Sequence, residues 1–458
     1  MIESFEVEHE VNKISVQGIS IWGLIRAMYI SEELKEGNEP DGWNKTLKKQ
    51  NPSKCQKVAR LRNIAYGWKN LFNRNEVVIF SDKLELRKVG EKYVNRLTYP
   101  SLDQYLLVEN SVDGEHITLK ERKSQNVISL DLFSCFARII PWRTPKIVSE
   151  GMLKELNKES GLSLDYKQAI TKFFKYKIVF GGFLDIYKPK IVMVNCYYGP
   201  TYQALICASK ERGIPIVEMQ HGLISRTDKL YQPKIAIDRR LVPDYMFVFG
   251  ESTKGIIPNN FVPQEKVIVV GNGYVEYLAG TGTRLERGQY KKKYARTIVV
   301  TAQYTVESKL VEFIRKAASL ASDSLFLYVP RDATNKYEGI FPKNVRVITS
   351  SNAYELIKQA DFHATVYSTC AMEAPFFGTP NILININGKS KECFEKVLTD
   401  PETTRYVNTE EEFVRLVSTW ERLEPAEIKL RHKGFIQTGY VQEIKKAVER
   451  IGGKKDDM

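Results

Sequence analysis

The sequence has no long apolar run, no basic leader and few histidines. No uninterrupted apolar stretch approaches the ~18 residues that a membrane-spanning helix needs. The first residues, MIESFEVEHE, are acidic where a secretory signal would be basic. We therefore expect a cytoplasmic protein.

Closely spaced cysteines and paired aspartates are also missing. The six cysteines show no C-x-x-C and lie mostly in apolar segments, which predicts reduced core thiols, no disulfide and no zinc: Cys55, Cys135, Cys196, Cys207, Cys370 and Cys393. No Asp-x-Asp occurs, so a metal-clamped nucleotide-sugar site has no candidate pair. If the chain is a transferase, its chemistry should need no metal and no cofactor.

Positive charge is abundant instead, with 68 lysines and arginines against 55 acidic residues and a net charge of +13. Such a balance favours polyanionic partners, namely nucleic acid, anionic lipid headgroups or phosphorylated substrates. There is no helix-turn-helix or RRM signature and no basic run interleaved with aromatics, so we expect no nucleic-acid partner.

Apolar runs alternate with helical patterns from about residue 76 onward. At 458 residues the chain exceeds the size of one core, so two domains are expected. The runs are continuous, as in strands buried on both faces of a parallel sheet. They are 76–80, 105–109, 190–196, 214–220, 245–250 and 266–271, then 296–303, 325–330, 345–350, 362–368 and 380–386. The pattern predicts an α/β protein with two Rossmann-like domains.

Residues 273–296 are rich in glycine and charge and separate the two series of strands. We place the domain boundary there, with a first domain over 1–272 and a second over 273–458. The first 75 residues form an extra helical segment. Its apolar stretch 19–30, interrupted by Arg26, is interpreted as a helix that caps the first domain, with a membrane-surface helix as the alternative.

The stretch IVEMQHGLIS, residues 216–225, carries the first candidate site. Open α/β sheets place ligands beyond the carboxyl ends of their strands, so Gln220, His221 and Gly222 should line the cleft between the domains. An imidazole there can take a proton from a hydroxyl near neutral pH. A structural histidine is the alternative. Glu218 is the reserve candidate for the base, and Asp228 is a second.

The stretch ADFHATVYSTCAMEAPFFGTPNIL, residues 360–383, carries the second candidate site. A strand ends at Tyr367, Ser368 and Thr369 follow, and a helix starts at once. Free N–H groups and the helix dipole at such a start favour an anion such as a nucleotide diphosphate. Glu373 would accept hydrogen bonds from ribose hydroxyls, although the hydroxyl residues also suit simple helix capping.

Other motifs in the chain fit structural roles. In GNGYVE, Gly271 and Gly273 favour a tight interdomain turn over a dinucleotide fingerprint, because Glu276 occupies the third glycine position. His363 lies in mid-strand among apolar residues and should be a core histidine. Glu218 and His221 are three apart on a strand, hence on opposite faces, which argues against a shared metal.

At these same residues the sequence resembles bacterial GT-B glycosyltransferase-like proteins of capsule and surface-polysaccharide synthesis. The resemblance rests on GIPIVEMQHGLIS and KLYQP, PDYMFVFGE, KVIVVGNGY, AYELIKQADFHATVYSTCAMEAPFFGTPNI and the N-terminal ISIWGLIRAMYI. A more distant similarity is to the glycerophosphotransferases of teichoic acid synthesis, which carry a histidine followed by glycine in the active site.

The resemblance implies a GT-B fold, in which two Rossmann-like domains with parallel sheets face a central cleft. A glycan or lipid-linked glycan acceptor would bind the first domain and a nucleotide-sugar donor the second. Gln303, at the end of the second domain's first strand, would contact the donor. Where many relatives have Lys-x-His-Pro, this chain reads LYVPRDATNK, so Arg331 or Lys336 would supply charge to a phosphate.

The resulting hypothesis is a metal-independent glycosyltransferase that extends a surface glycan such as a capsule or the O-antigen of lipopolysaccharide. The alternatives are a polyol-phosphate transferase and a sugar-nucleotide epimerase of the same double Rossmann architecture. A non-enzymatic basic scaffold is a further alternative. The charge and the resemblance also leave room for peripheral contact with an anionic membrane surface, at the inner face of the cell membrane.

Overall fold

The computed structural model describes residues 2–36, 62–102, 104–111, 115–143, 145–162, 164–281, 293–331, 337–349 and 352–453. The predictions for Cys55 and Lys336 lie outside these residues. Within them the chain forms two α/β domains, each built on a parallel sheet, as the two series of apolar runs predicted. None of the described helices combines the length and apolarity that crossing a bilayer requires.

The first domain has a parallel sheet that, in the described part of the chain, contains seven strands in the order β11-β10-β9-β8-β3-β6-β7. In chain order these are β3 (Val77–Asp82), β6 (Leu106–Asn110), β7 (Val127–Ser129), β8 (Ile191–Val194), β9 (Ile216–Met219), β10 (Tyr245–Val248) and β11 (Val267–Val269). All four residues of β8 and all four of β9 are buried. Burial on both faces explains why β8 is apolar throughout and why β9 is apolar apart from Glu218, without the alternation of a half-exposed strand.

Helices cover this sheet between successive strands. They are α3 (Leu130–Ile139), α4 (Glu150–Ser160), α5 (Tyr166–Tyr187), α6 (Pro200–Lys210) and α7 (Glu251–Lys254). The longest, α5, buries an apolar stripe that includes Phe173, Phe180 and Leu184, and it packs along α6. These contacts form the larger of the two cores that flank the sheet.

The second domain has a parallel sheet with six strands, counted over the described residues, in the order β14-β13-β12-β15-β16-β17. The strands are β12 (Arg296–Thr301), β13 (Ser324–Val329), β14 (Val345–Val347), β15 (Phe362–Thr365), β16 (Asn381–Ile384) and β17 (Thr404–Val407). The helices are α8 (Gly273–Gly280), α9 (Glu307–Leu320), α10 (Ala353–Ile357), α11 (Cys370–Glu373), α12 (Lys389–Phe394), α13 (Glu410–Thr419) and α14 (Pro425–Arg431).

The N-terminal segment is part of the first domain. It contains α1 (Ile2–Glu8), the short hairpin of β1 (Ser15–Val16) and β2 (Ile19–Ser20), and α2 (Trp22–Glu36). Trp22, Arg26 and Tyr29 of α2 are buried, and Arg26 forms a 2.5 Å ion pair with buried Glu6. Because the middle of α2 is buried on all sides, the membrane-surface alternative for this helix is wrong.

The chain returns to the first domain at its end. The last helix, α15 (Tyr440–Gly452), packs Tyr440, Ile444 and Ile451 against the face of the first sheet opposite α5. Its sequence lies within the range predicted for the second domain, yet the strands that it packs against belong to the first sheet. The boundary at residue 272 itself stays a prediction.

Gly271 and Gly273, where the sequence predicted a tight turn, lie where β11 connects to α8, of which Gly273 is the first residue. Gly271 has a φ of +88°, and a Cβ there would lie 2.3 Å from the carbonyl oxygen of Gln437. A Cβ on Gly273 would lie 2.2 Å from the ring of Tyr440. Glycine is therefore required because the returning chain passes directly over this connection.

Every strand predicted from an apolar run is present, whereas six strands of the described residues were missed. They are β1, β2, β7, β17 and the antiparallel hairpin of β4 (Leu86–Val89) and β5 (Lys92–Asn95). The hairpin leaves the first domain and packs Val89 against a cluster of the second domain that includes Tyr274 and Tyr354. A surface hairpin that gains its burial from another domain has no apolar run of its own to reveal it.

Candidate active site

The carboxyl ends of β9 and β15 meet where the two domains touch. The turn after β9 holds Gln220, His221 and Gly222, and the turn after β15 holds Tyr367, Ser368 and Thr369. A Cβ placed on Gly222 would lie 3.8 Å from Thr369 Cγ2, so the two turns are in contact. The structure thus brings the two sites predicted from the sequence, almost 150 residues apart, into one place.

His221 lies among polar groups at the ends of neighbouring strands. Burial lowers the pKa of His221, and the positive charge of Arg96 lowers it further, whereas Glu85 and Asp82 raise it. A backbone hydrogen bond with Asn195 also favours the protonated ring. Because burial dominates, the imidazole is neutral at pH 7 and able to accept a proton.

Asp82 holds the strand ends beside His221 together. Its Oδ1 accepts a hydrogen bond from Asn110 Nδ2 at 2.8 Å, and its Oδ2 accepts one from Asn195 Nδ2 at 3.0 Å. The three residues follow or end β3, β6 and β8. This network fixes the loop whose backbone contacts His221.

Arg96 fixes the turn after β9 from the other side. Its Nη2 donates to the carbonyl oxygen of His221, and its Nε lies 2.5 Å from Glu85 Oε2. Both residues are almost fully buried. Gln220 completes the turn, because its Nε2 donates to the carbonyl oxygen of Gly222 at 2.9 Å and its Oε1 accepts from the amide of Phe249 at 2.7 Å.

Gln303 organises the opposite turn in the second domain. Its Nε2 donates to Thr365 Oγ1 at 3.1 Å, and its Oε1 accepts from the amide of Tyr367 at 3.3 Å. Ser368 Oγ accepts from the amide of Cys370, the first residue of the helix that follows, at 3.3 Å. Gln303 lies beneath the turn and holds it in shape.

The helix after this turn is shorter than the sequence predicted. α11 covers only Cys370–Glu373 before the chain continues as a 3-10 turn over Ala374–Phe377. A four-residue helix has a weak dipole, so an anion here would depend on local N–H groups, hydroxyls and charged side chains. Arg331 is exposed nearby, with its guanidinium 5.7 Å from the ring centre of Tyr304.

Arg331 also acts on Tyr367. Burial raises the pKa of Tyr367 to about 12, and the charge of Arg331 opposes that rise. An exposed guanidinium thus lies close to the end of the strand that precedes Ser368. This arrangement suits a phosphate, which Arg binds through two parallel hydrogen bonds.

Glu373 is buried at the contact between the domains. Its Oε2 accepts a hydrogen bond from the hydroxyl of Tyr354 at 2.6 Å. Burial raises the pKa of Glu373, and the positive charges of Arg96 and Arg87 from the first domain oppose the rise. The ribose contact stays a prediction; in this structure the carboxylate faces Tyr354 and the arginines of the β4–β5 hairpin.

The reserve bases differ in access. Glu218 is fully buried, accepts from the hydroxyl of Tyr231 at 2.6 Å, and burial raises its pKa to about 8. With no exposed surface, it meets no acceptor in this structure. Asp228 is partly exposed, and burial raises its pKa to about 6, near the range that a base needs.

Several residues of this site escaped the sequence analysis: Asp82, Glu85, Arg87, Arg96, Asn195 and Tyr354. The sequence could have indicated two of them, because Asp82 and Asn195 are polar residues at the ends of buried strands, where ligands bind in open α/β sheets. The others come from the β4–β5 hairpin and from α10, and nothing local marks their position. No group of three or more potential metal ligands occurs among the described residues.

No protein-family model matches the chain, and no curated protein matches it. Solved structures do match. The S. aureus MnaA structure with UDP is 15% identical, covers 82% of this chain and 96% of that chain, and has a TM-score of 0.50. The glycosyltransferase SnogD from Streptomyces nogalater is 12% identical, with 81% and 98% covered and a TM-score of 0.50. A putative UDP-N-acetylglucosamine 2-epimerase from Listeria monocytogenes is 11% identical, with 83% and 98% covered and a TM-score of 0.50.

These similarities show a fold. The two parallel-sheet α/β domains of this chain form the GT-B fold, which the similar glycosyltransferases and 2-epimerases share. The fold class expected from the sequence is confirmed. At such low identity the similarity leaves the reaction to be argued from the site itself.

Proposed function

We propose that this protein is a metal-independent glycosyltransferase that moves a sugar from a nucleotide-sugar donor to an acceptor hydroxyl. One observation carries the proposal: the His221–Gly222 turn of the first domain meets the Ser368–Thr369 turn of the second. A neutral imidazole and a turn suited to an anion therefore face each other at the carboxyl edges of both sheets, where open α/β sheets bind ligands.

His221 is the proposed general base. Its imidazole takes the proton of the acceptor hydroxyl while that oxygen forms a bond to the anomeric carbon of the donor sugar. The bond between this carbon and the diphosphate oxygen breaks, and the nucleoside diphosphate leaves with the electron pair. Asp82, through Asn195, and Arg96 hold the loop and the turn that position the ring.

The second domain is proposed to hold the leaving diphosphate. Backbone N–H groups and hydroxyls of the Ser368–Thr369 turn and the exposed guanidinium of Arg331 would bind its oxygens. Support comes from the exposure of Arg331 and its closeness to Tyr367. Gln303 would shape the turn, and Glu373 would bind the ribose after a rearrangement that releases Tyr354.

The acceptor is proposed to be a growing surface glycan, free or lipid-linked, of the capsule or O-antigen type. The sequence resemblance supports this assignment. Peripheral contact with an anionic membrane surface belongs to the same proposal and is supported by the net charge of +13. A polyol phosphate could be transferred in place of a sugar, since the same groups would serve.

Nucleotide binding and product analysis test the proposal. Thermal-shift measurements against CDP, CMP, UDP, GDP and ADP should show stabilisation by at least one nucleotide, because a ligand that binds the native state raises its stability. A protein that none of them stabilises would not be a nucleotide-sugar enzyme. Incubation of the matching nucleotide sugar without acceptor should leave it unchanged, whereas formation of an epimer would show a sugar-nucleotide epimerase.

A further inference from the structure

A cavity lies between the domains beside the candidate active site. It has a volume of about 200 Å³ and is lined by the loop Ser225–Thr227 of the first domain and by residues of α12 and the turn after it. The loop begins three residues after Gly222, so the Cα of Arg226 lies at most about 14 Å from that of Gly222. An extended acceptor at His221 can therefore reach the cavity.

The cavity is connected to the proposed donor turn by direct packing. Leu223 packs in one cluster with Tyr367 and Cys393, and Cys393 also lines the cavity. Cys393 therefore links this wall of the cavity to the apolar residues that pack beside the turns after β9 and β15. No residue assigned above to the donor phosphate lines it.

The cavity carries unpaired positive charge. Arg226, Lys391 and Lys396 line it, and none of them forms an ion pair with another described residue. Two acidic residues also line the cavity: Glu392 already pairs with Lys389 at 3.0 Å, and Glu395 opposes one of the three positive charges, which leaves positive charge in excess. Ser225 and Thr227 add two hydroxyls, 2.9 Å apart, to the lining.

We propose that this cavity is an acceptor subsite that binds an oxyanion, the phosphate or carboxylate group of an anionic acceptor. The proposal rests on the function proposed above and adds the chemical class of the acceptor. Three cations with two hydroxyls in a cavity of this size suit a tetrahedral or planar oxyanion. The subsite would hold the acceptor across both domains while its hydroxyl meets His221.

Alkylation of Cys393 reports on the cavity directly. Cys393 is partly exposed, and burial raises its pKa to about 11, so the reaction with iodoacetamide is run under alkaline conditions and followed at each cysteine by mass spectrometry. Inorganic phosphate and glucuronate are added separately, at constant ionic strength and with UDP present throughout to occupy the donor turn. Cys135 of α3, also partly exposed and outside the cavity, is the internal control.

At a concentration ten times its Kd, the oxyanion should slow alkylation of Cys393 about tenfold and leave Cys135 unchanged. Protection by phosphate alone indicates a phosphorylated acceptor, and protection by glucuronate alone indicates an acidic sugar. The combined changes Lys391→Gln and Lys396→Gln should abolish the protection. The matched changes Lys433→Gln and Lys445→Gln, of exposed lysines elsewhere, should not.

Protection by neither anion, or equal protection in the Lys391→Gln/Lys396→Gln variant, would overturn the proposal. Full protection by UDP alone would also overturn it, because the cavity would then belong to the donor. The nucleotide thermal-shift assay remains a separate readout. If the protein binds a nucleotide but neither anion protects Cys393, the subsite proposal fails and the proposed function stands.

Discussion

Two histidine clusters of the first domain invite comparison. His116 Nδ1 lies 2.9 Å from Glu109 Oε1, and its Nε2 lies 2.9 Å from Ser129 Oγ. These are the three groups and the geometry of a nucleophilic triad. His221 has a less regular set of partners, namely the backbone of Asn195 and the charges around it.

Access separates the two clusters. Ser129 and Glu109 have no exposed surface, the side chain of His116 is 1% exposed, and the ring of Tyr66 stacks on it at 4.3 Å. Ser129 Oγ also accepts from the amide at the start of α3 and is occupied as a helix cap. The His116 cluster has the hydrogen-bond geometry of a triad but no access for a substrate, so its role is structural. The His221 cluster is less regular, but it lies where the two domains touch and is the candidate site.

The largest effect is expected at His221. His221→Ala should lower the rate of transfer by about 10²-fold or more, since a positioned general base contributes that much. Initial rates with the donor identified by thermal shift provide the measurement. Activity within a fewfold of the unchanged protein would remove the base role and leave His221 a residue that shapes the pocket.

His116→Ala should have the opposite profile. It leaves buried Glu109 with Arg122 as its remaining side-chain partner and Ser129 Oγ with only the amide of Asp131, which should lower the free energy of unfolding by about 1–3 kcal/mol. Urea unfolding measures this loss, and kcat at a temperature where the variant is folded should be unchanged. A kcat that falls as far as that of His221→Ala would mean that the buried cluster takes part in the reaction.

Glu373→Ala tests the second domain's side of the comparison. If its carboxylate binds the donor ribose, the donor KM should rise about tenfold, the size of one lost hydrogen bond to a charged group. The acceptor KM should stay the same. Tyr354→Phe is the matched control, because it removes the partner of Glu373 and keeps the carboxylate. An unchanged donor KM for Glu373→Ala would refute the ribose contact.

The smallest effect concerns pH. A base must be neutral, so kcat/KM should fall as the pH drops through the pKa of His221, which burial lowers below its ordinary value of 6.5. Arg96 lowers that pKa too, so Arg96→Met should move the acid limb of the kcat/KM profile to higher pH. Arg96→Lys keeps the charge and should restore the limb. If the acid limb lies at the same pH in the unchanged protein, Arg96→Met and Arg96→Lys, the charge of Arg96 does not influence His221.

The predictable part of the fold followed from burial. Runs such as that of β8 are apolar throughout because both faces of the sheet are covered, and that pattern is visible in the chain itself. Likewise, His363 was predicted as a core residue and is confirmed. It bonds Asn381 and Thr301 in the interior, and burial lowers its pKa to about 4.

The part that was missed depends on contacts between distant residues. The β4–β5 hairpin has little apolar sequence, yet it brings Arg96 to His221 and Val89 to the second domain. The last helix was assigned to the second domain by its position in the chain, whereas Tyr440 and its neighbours find their apolar surface on the first sheet. Local patterns do not encode which surface a segment will cover.

The sequence by itself determined the two parallel sheets and the strand ends at which ligands can bind. These features depend on residue preferences that act within a few positions of the chain. Only the tertiary structure decided that the His221 and Thr369 turns touch, that Arg96 holds His221, and that the triad-like His116 cluster is sealed. Access and contact between domains arise from packing over long distances along the chain, and packing is what distinguishes the two histidines.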